Sequence, residues 1–183
     1  MGVTMAGSKN FMILVEGETE EYFVKEIYVG NVKKINLWQS TEKQISALLR
    51  LVNVDNSIVV VILDIDVQDK IVNLVSNLKR IRAHLKSNSK LVLLIQQQNF
   101  EDELSYACSC KKQILFRCFS AVGEKEFKNK FLKERNIVRK LNQLNCNFDI
   151  FWTRGNISLP EQLSVFLNLI GTAADLEKRT LRA

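Results

Sequence analysis

Ile58-Val59-Val60-Val61-Ile62-Leu63, running straight into Asp64-Ile65-Asp66, is the stretch that decides the fold. Six consecutive apolar residues, most of them β-branched, suit a strand buried on both faces; a half-exposed strand would alternate with polar residues. Two further runs have the same character. Phe11 to Val15 ends at Glu16-Gly17, and Leu91 to Ile95 is followed by a glutamine tract and Asn99. Short, continuous apolar strands separated by longer segments point to parallel strands joined by crossovers, and hence to helices covering both faces of the sheet.

The intervening segments read as those helices. After Glu16-Gly17, Thr19 is the expected N-cap, with Glu20 and Glu21 in the first turn and Phe23, Val24, Ile27 and Tyr28 facing inward. Ile35 to Trp38 is expected as a short strand. Ser40 or Thr41 then caps a helix that carries Ile45, Leu48, Leu49 and Val52 inward. From Val67 to Lys86, apolar residues recur with helical period and leave Lys79, Arg82 and Lys86 on another face. A short helix is expected from Asn99, a strand over Ile114 to Phe119 and a basic helix from Glu124 to Leu144. A last strand over Phe148 to Trp152 precedes a final amphipathic helix opened by Pro160. The expected class is α/β, Rossmann-like, with a mainly parallel sheet. One compact domain over 1–183 is expected, its core motifs within about 11–100 and its C-terminal extension in about 105–183, since seven glycines and one proline leave no linker-like stretch.

The acids lie at the ends of these strands. Asp64 and Asp66 are two apart, so in extended backbone they leave from the same side, roughly 6 to 7 Å apart at the backbone. That spacing suits one hydrated divalent cation, magnesium or manganese, which takes oxygen ligands and keeps several waters. Such acids also commonly cap the following helix. Glu16 reaches the same rim if its strand neighbours that of Ile58 to Leu63. Three carboxylates converging there would need a cation or a proton to relieve their repulsion.

Composition narrows the partners. The chain of 183 residues is 46% hydrophobic and 25% charged, enough to bury a core, and carries 26 Lys+Arg against 20 Asp+Glu, a formal charge of +6. That excess is compatible with a polyanion. No apolar run is long enough to span a bilayer and the first ten residues lack a signal peptide's apolar region, so a cytoplasmic protein without membrane contact is expected. Cys108, Cys110, Cys118 and Cys146 fit reduced thiols in or near the core; the one-residue spacing of Cys108 and Cys110, with a single histidine in the chain, fits zinc poorly.

Val15-Glu16-Gly17-Glu18-Thr19-Glu20 after one strand, with Leu63-Asp64-Ile65-Asp66 after another, resembles the TOPRIM pattern of topoisomerases, primases, OLD-type nucleases and RloB-like proteins. By that resemblance Glu16 takes the acid/base or metal role and Asp64 and Asp66 hold magnesium. Asn99-Phe100-Glu101-Asp102-Glu103-Leu104 is similar to a stretch of the RloB-like and OLD-like members, which implies a nuclease of anti-phage defence, with a partner ATPase or homo-oligomer as further expectations. Glu101 is the candidate for a further metal- or water-positioning acid, with Glu20 and Glu103 as second choices.

Basic residues complete the expected site. Lys79, Arg80, Arg82 and Lys86 on one helix, with Lys133 and Arg139 on another, are the expected contacts to nucleic acid, DNA or RNA. Lys125 and Lys128 are the expected stabilisers of transition-state charge. His84, among cations, reads as a surface residue, and Tyr22, Tyr28 and Tyr106 lack the context of a nucleophile. The expected activity is metal-dependent cleavage of phosphodiester bonds. The alternative is a non-catalytic TOPRIM-like subunit that binds nucleic acid or protein. A small-molecule phosphohydrolase would instead show a small, closed pocket.

Overall fold

The apolar runs form adjacent parallel strands. In the computed structural model, which describes residues 10–65, 70–96, 98–153 and 159–179, β1 (Asn10–Val15), β2 (Asn31–Lys34), β3 (Ser57–Asp64) and β4 (Lys90–Gln96) make a four-stranded sheet in the order β2-β1-β3-β4. All three pairings are parallel; Leu14 lies opposite Val61, Val61 opposite Leu93, and Asp64 opposite Gln96. The fold is α/β with helices on both faces of the sheet, as the continuous apolar runs predict.

Alternation along the strands divides the core into two layers. Ile13, Val15, Val60, Ile62, Val92 and Leu94 face α1 (Glu18–Ile27), α4 (Phe100–Ala107), α5 (Lys112–Cys118), α6 (Glu124–Phe131) and α7 (Ile137–Gln143). Met12, Leu14, Val59, Val61, Leu63, Leu93 and Ile95 face α2 (Glu42–Leu49), α3 (Ile71–His84) and a 3₁₀ segment, Glu161–Leu169. The first layer is rich in rings: Phe23 packs on Phe100 and Phe151, and Phe119, Phe127 and Phe131 pack against one another in edge-on and tilted pairs. It is this layer that carries α4 and α6 to the ends of the strands.

Several local expectations are corrected. Residues 35–38 are not a strand: β2 ends at Lys34, and Leu37 and Trp38 are buried in a turn whose carbonyls accept from Asn73 and Asn77 of α3. The apolar signal there is tertiary. Ile114 to Phe119 is helical, because Leu115, Phe116 and Phe119 form one helix-spaced stripe on the aromatic layer. Phe148 to Trp152 is a turn, with Phe151 and Trp152 buried and the Trp152 N–H donating to Glu103 Oε1 at 2.8 Å.

The basic helix over 124–144 is two helices. Between α6 and α7 the carbonyl of Glu134 accepts from the Tyr22 hydroxyl, and Glu134 Oε1 accepts from the Asn136 N–H at 3.0 Å, which stabilises the intervening turn. Pro160 opens a 3₁₀ segment in place of an α-helix. Gly17, in place of Thr19, is the N-cap of α1, while Thr41 and Asn99 cap α2 and α4 as expected. Among the described residues no helix is long and apolar enough to cross a membrane.

Candidate functional site

The strand order creates a crevice. The connection from β1 to β2 passes through α1 on one face of the sheet, whereas that from β3 to β4 passes through α3 on the other, so the chain diverges between β1 and β3. In open parallel sheets, such a switch point beyond the carboxyl ends of the strands is where ligands bind. Glu16 directly follows β1, Asp64 ends β3 and Gln96 ends β4. They line a cleft of about 210 Å³ together with Gly17, Glu20, Asn99, Glu101 and Lys128.

Each acid has a distinct setting. Glu16 is half-buried, and its Oε1 accepts from Asn36 Nδ2 at 2.6 Å, which fixes the carboxylate against the turn after β2. Glu20 is buried, and both its oxygens are engaged: Oε2 accepts from the Gly17 N–H at 2.7 Å and Oε1 from Gln96 Nε2 at 2.8 Å. Those bonds give Glu20 the task of holding the start of α1 against the end of β4. Glu103 faces away, accepting from the Trp152 N–H, while Asp102 pairs with Lys112 at 2.7 Å.

Glu101 is the exceptional group. Asn99 caps α4, its Oδ1 accepting from the Asp102 N–H at 3.1 Å, and the first turn of that helix delivers Glu101 to the cleft with only 1% of its surface exposed. Neither carboxylate oxygen has a hydrogen-bond partner, and Lys128 Nζ stands 3.7 Å from Oε2. Burial raises the Glu101 carboxyl above the usual carboxylate range, against the opposing pull of the Lys128 charge. Lys128 also pairs with Glu124 at 2.8 Å; the two acids outweigh its own desolvation and raise its pKa.

The donor chemistry fits a hard cation. The cleft offers carboxylate and amide oxygens, and Gln96 Oε1 is, like both oxygens of Glu101, buried without a hydrogen-bond partner. Among the described residues no three His, Cys, Asp or Glu side chains stand at metal-ligand spacing. Asp66, the expected partner of Asp64, lies outside the described residues. Of the expected ligands, Glu16, Asp64, Glu20 and the further candidate Glu101 line the cleft in the described structure, Glu20 with both oxygens already engaged.

The cations divide between the two ends of the sheet. Lys128 lines the cleft, and Lys125 is exposed one turn earlier on α6; Lys133 and Arg139 are exposed beyond it. The helix α3 runs the other way. Its Arg80 pairs with Glu42, and Lys86, just past its end, pairs with Asp55 ahead of β3 at 2.9 Å. Arg82 and Lys86 thus belong to the amino end of the sheet and do not join the cleft, while Lys79 is exposed on the same helix. His84 is half-buried on that helix, with Nε2 buried and unpartnered. Tyr28 is buried, its hydroxyl donating to the Phe148 carbonyl at 3.3 Å.

Sequence reading did not find Asn36 or Gln96. Gln96 was hidden in a run of three glutamines whose middle member alone is outside the described residues, and only the strand's end point selects it. Asn36 gave no local signal, since its role depends on β2 lying beside β1. The four cysteines are free thiols, Cys108 and Cys146 buried. Comparison with protein-family models, with curated proteins and with solved structures finds no match.

Proposed function

We propose that the chain is a metal-dependent phosphodiesterase acting on nucleic acid, with its active site in the switch-point cleft. The observation that carries this reading is the convergence there of Glu16, Asp64 and a buried Glu101 facing Lys128. A buried carboxylate without hydrogen bonds is costly, and such groups concentrate at functional sites. The TOPRIM-like order of Glu16 and the two aspartates points to the same chemistry.

Asp64, with Asp66 and Glu16, would hold magnesium or manganese. When bound, the ion neutralises charge on the phosphate and lowers the pKa of a coordinated water. Glu16, whose Oε1 is held by Asn36, is the carboxylate that would take or return a proton. Lys128 brings a positive charge to the wall opposite, where negative charge develops on the phosphoryl oxygens. Glu101 positions that ammonium, and Lys125, Lys133 and Arg139 offer an exposed basic approach along α6 and α7.

The test is cleavage of labelled single- and double-stranded DNA, structured RNA and transfer RNA with magnesium, manganese or EDTA. An Asp64→Ala/Asp66→Ala variant is assayed in parallel. Metal-dependent cleavage that the variant lacks is the expected result. Binding of metal and nucleic acid without any cleavage would refute the enzymatic reading in favour of a binding subunit.

A further inference from the structure

A second concavity lies at the opposite end of the sheet from the acidic cleft. It encloses about 450 Å³, a volume typical of small-molecule pockets. One wall is the end of α3 and the turn after it, with Arg82, Leu85 and Lys86; β4 contributes Lys90 and Val92; and the far wall is Ile170, Gly171 and Asp175. The six residue steps from Lys90 to Gln96 separate it from the cleft by about 20 Å.

The far wall is built against the free edge of β4. Ile170 bridges Leu93 in parallel, and the Gly171 N–H donates to the Leu93 carbonyl at 2.9 Å. A Cβ on Gly171 would lie 2.4 Å from Val92 Cγ1 and 2.5 Å from Asp175 Oδ2, so only glycine lets the Asp175 carboxylate close so tightly on the strand. Asp175 Oδ2 accepts from the Thr172 N–H at 3.0 Å, which fixes the carboxylate. An apolar floor of Leu85, Leu91 and Ile170 is thereby framed by an oriented acid and by three cations.

Those cations are available. Among the described residues Arg82 and Lys90 are in no ion pair, and the Lys86–Asp55 pair is solvent-exposed on both sides, where such pairs contribute little. Three cations lining one pocket suit a multiply charged anion, the apolar floor suits a flat ring, and the lone carboxylate suits hydroxyl or amino donors. We infer that this amino-end pocket binds a nucleoside phosphate, with its phosphates on Arg82, Lys86 and Lys90 and its nucleoside between the apolar floor and Asp175. The site is separate from the acidic cleft and does not depend on what the cleft does.

Calorimetric titration of the full chain in EDTA, with ATP, inorganic phosphate and a short single-stranded oligonucleotide as probes, tests this. The proteins are the wild type, Asp64→Ala, Arg82→Ala/Lys90→Ala and Asp175→Asn. ATP should bind the wild type and Asp64→Ala equally, and inorganic phosphate about tenfold or more less tightly. The Arg82→Ala/Lys90→Ala variant, which changes only exposed side chains, should weaken ATP by about tenfold or more. Asp175→Asn should weaken ATP and leave phosphate unchanged. The inference is overturned if ATP does not bind, if phosphate binds as tightly, if the basic double variant is unaffected, or if Asp64→Ala abolishes binding. Tighter binding of the oligonucleotide than of ATP would also overturn it, assigning the surface to a nucleic-acid backbone.

Discussion

Replacing Lys128 with methionine isolates the electrostatics of the cleft. Glu101 is 1% exposed, its oxygens lack hydrogen bonds, and the Lys128 ammonium 3.7 Å away is the cation that offsets its charge. Removing one member of a fully buried ion pair destabilises by about 3–5 kcal/mol. Lys128 is 44% exposed, however, so solvent screens the pair and the loss falls to about 1–2 kcal/mol. For a chain of this size that is a fall in Tm of roughly 2–8 °C. Lys128 also pairs with Glu124 at i,i+4, and Glu124→Gln as a control should cost only about 0.5 kcal/mol or less.

The assay is urea unfolding followed by tryptophan fluorescence in EDTA, on Lys128→Met, Glu101→Gln and the double variant. Glu101→Gln removes the charge that needs compensation, so the double variant should recover most of what Lys128→Met loses. The pH dependence has a definite sign. Because burial raises the Glu101 pKa in the fold, its stabilising contribution is present below the usual carboxylate range and is lost as pH rises through the folded pKa. The Lys128→Met penalty should therefore be seen at neutral pH and shrink in acid, where Glu101 carries a proton. An equal penalty at both pH values, or no recovery in the double variant, would refute the reasoning.

Three further outcomes follow from the same geometry. Asn36→Ala removes the 2.6 Å hydrogen bond that orients Glu16 and should lower turnover about tenfold or more with a stability loss near 1 kcal/mol, read from kinetics and unfolding. Unchanged turnover in an active preparation would show that Glu16 needs no orientation. Glu20→Ala breaks bonds to the Gly17 N–H and Gln96 and should destabilise by about 2–3 kcal/mol in urea unfolding, since it also leaves the buried Gln96 amide without its acceptor. Cys108, whose thiol pKa is raised by its hydrogen bond to Cys146 and by burial, should resist a thiol-reactive dye together with Cys146 until the chain is unfolded; rapid labelling of both in the native protein would contradict their burial.

Much of this arrangement was legible in single runs of residues. Three apolar runs announced three parallel strands because a strand buried on both faces needs no alternation, and the acids that end two of them marked the carboxyl edge. Where apolar residues belong to turns or short helices, composition alone could not separate the cases: Leu37 and Trp38 read as strand, and so did Leu115 and Phe116.

The sequence by itself determined the α/β class, the strands β1, β3 and β4, and the placing of Glu16 and Asp64 at strand ends, because these depend on local periodicity and on where an apolar run stops. Only the tertiary structure decided which of the acids share a cleft. The order β2-β1-β3-β4 sets β1 beside β3, α4 turns Glu101 inward and Glu103 away, and α6 packs so that Lys128 stands opposite Glu101. The same topology sends Arg82 and Lys86 to the far end of the sheet, because a helix that crosses between parallel strands must run antiparallel to both and carries its last turn away from the strand ends where its first turn began.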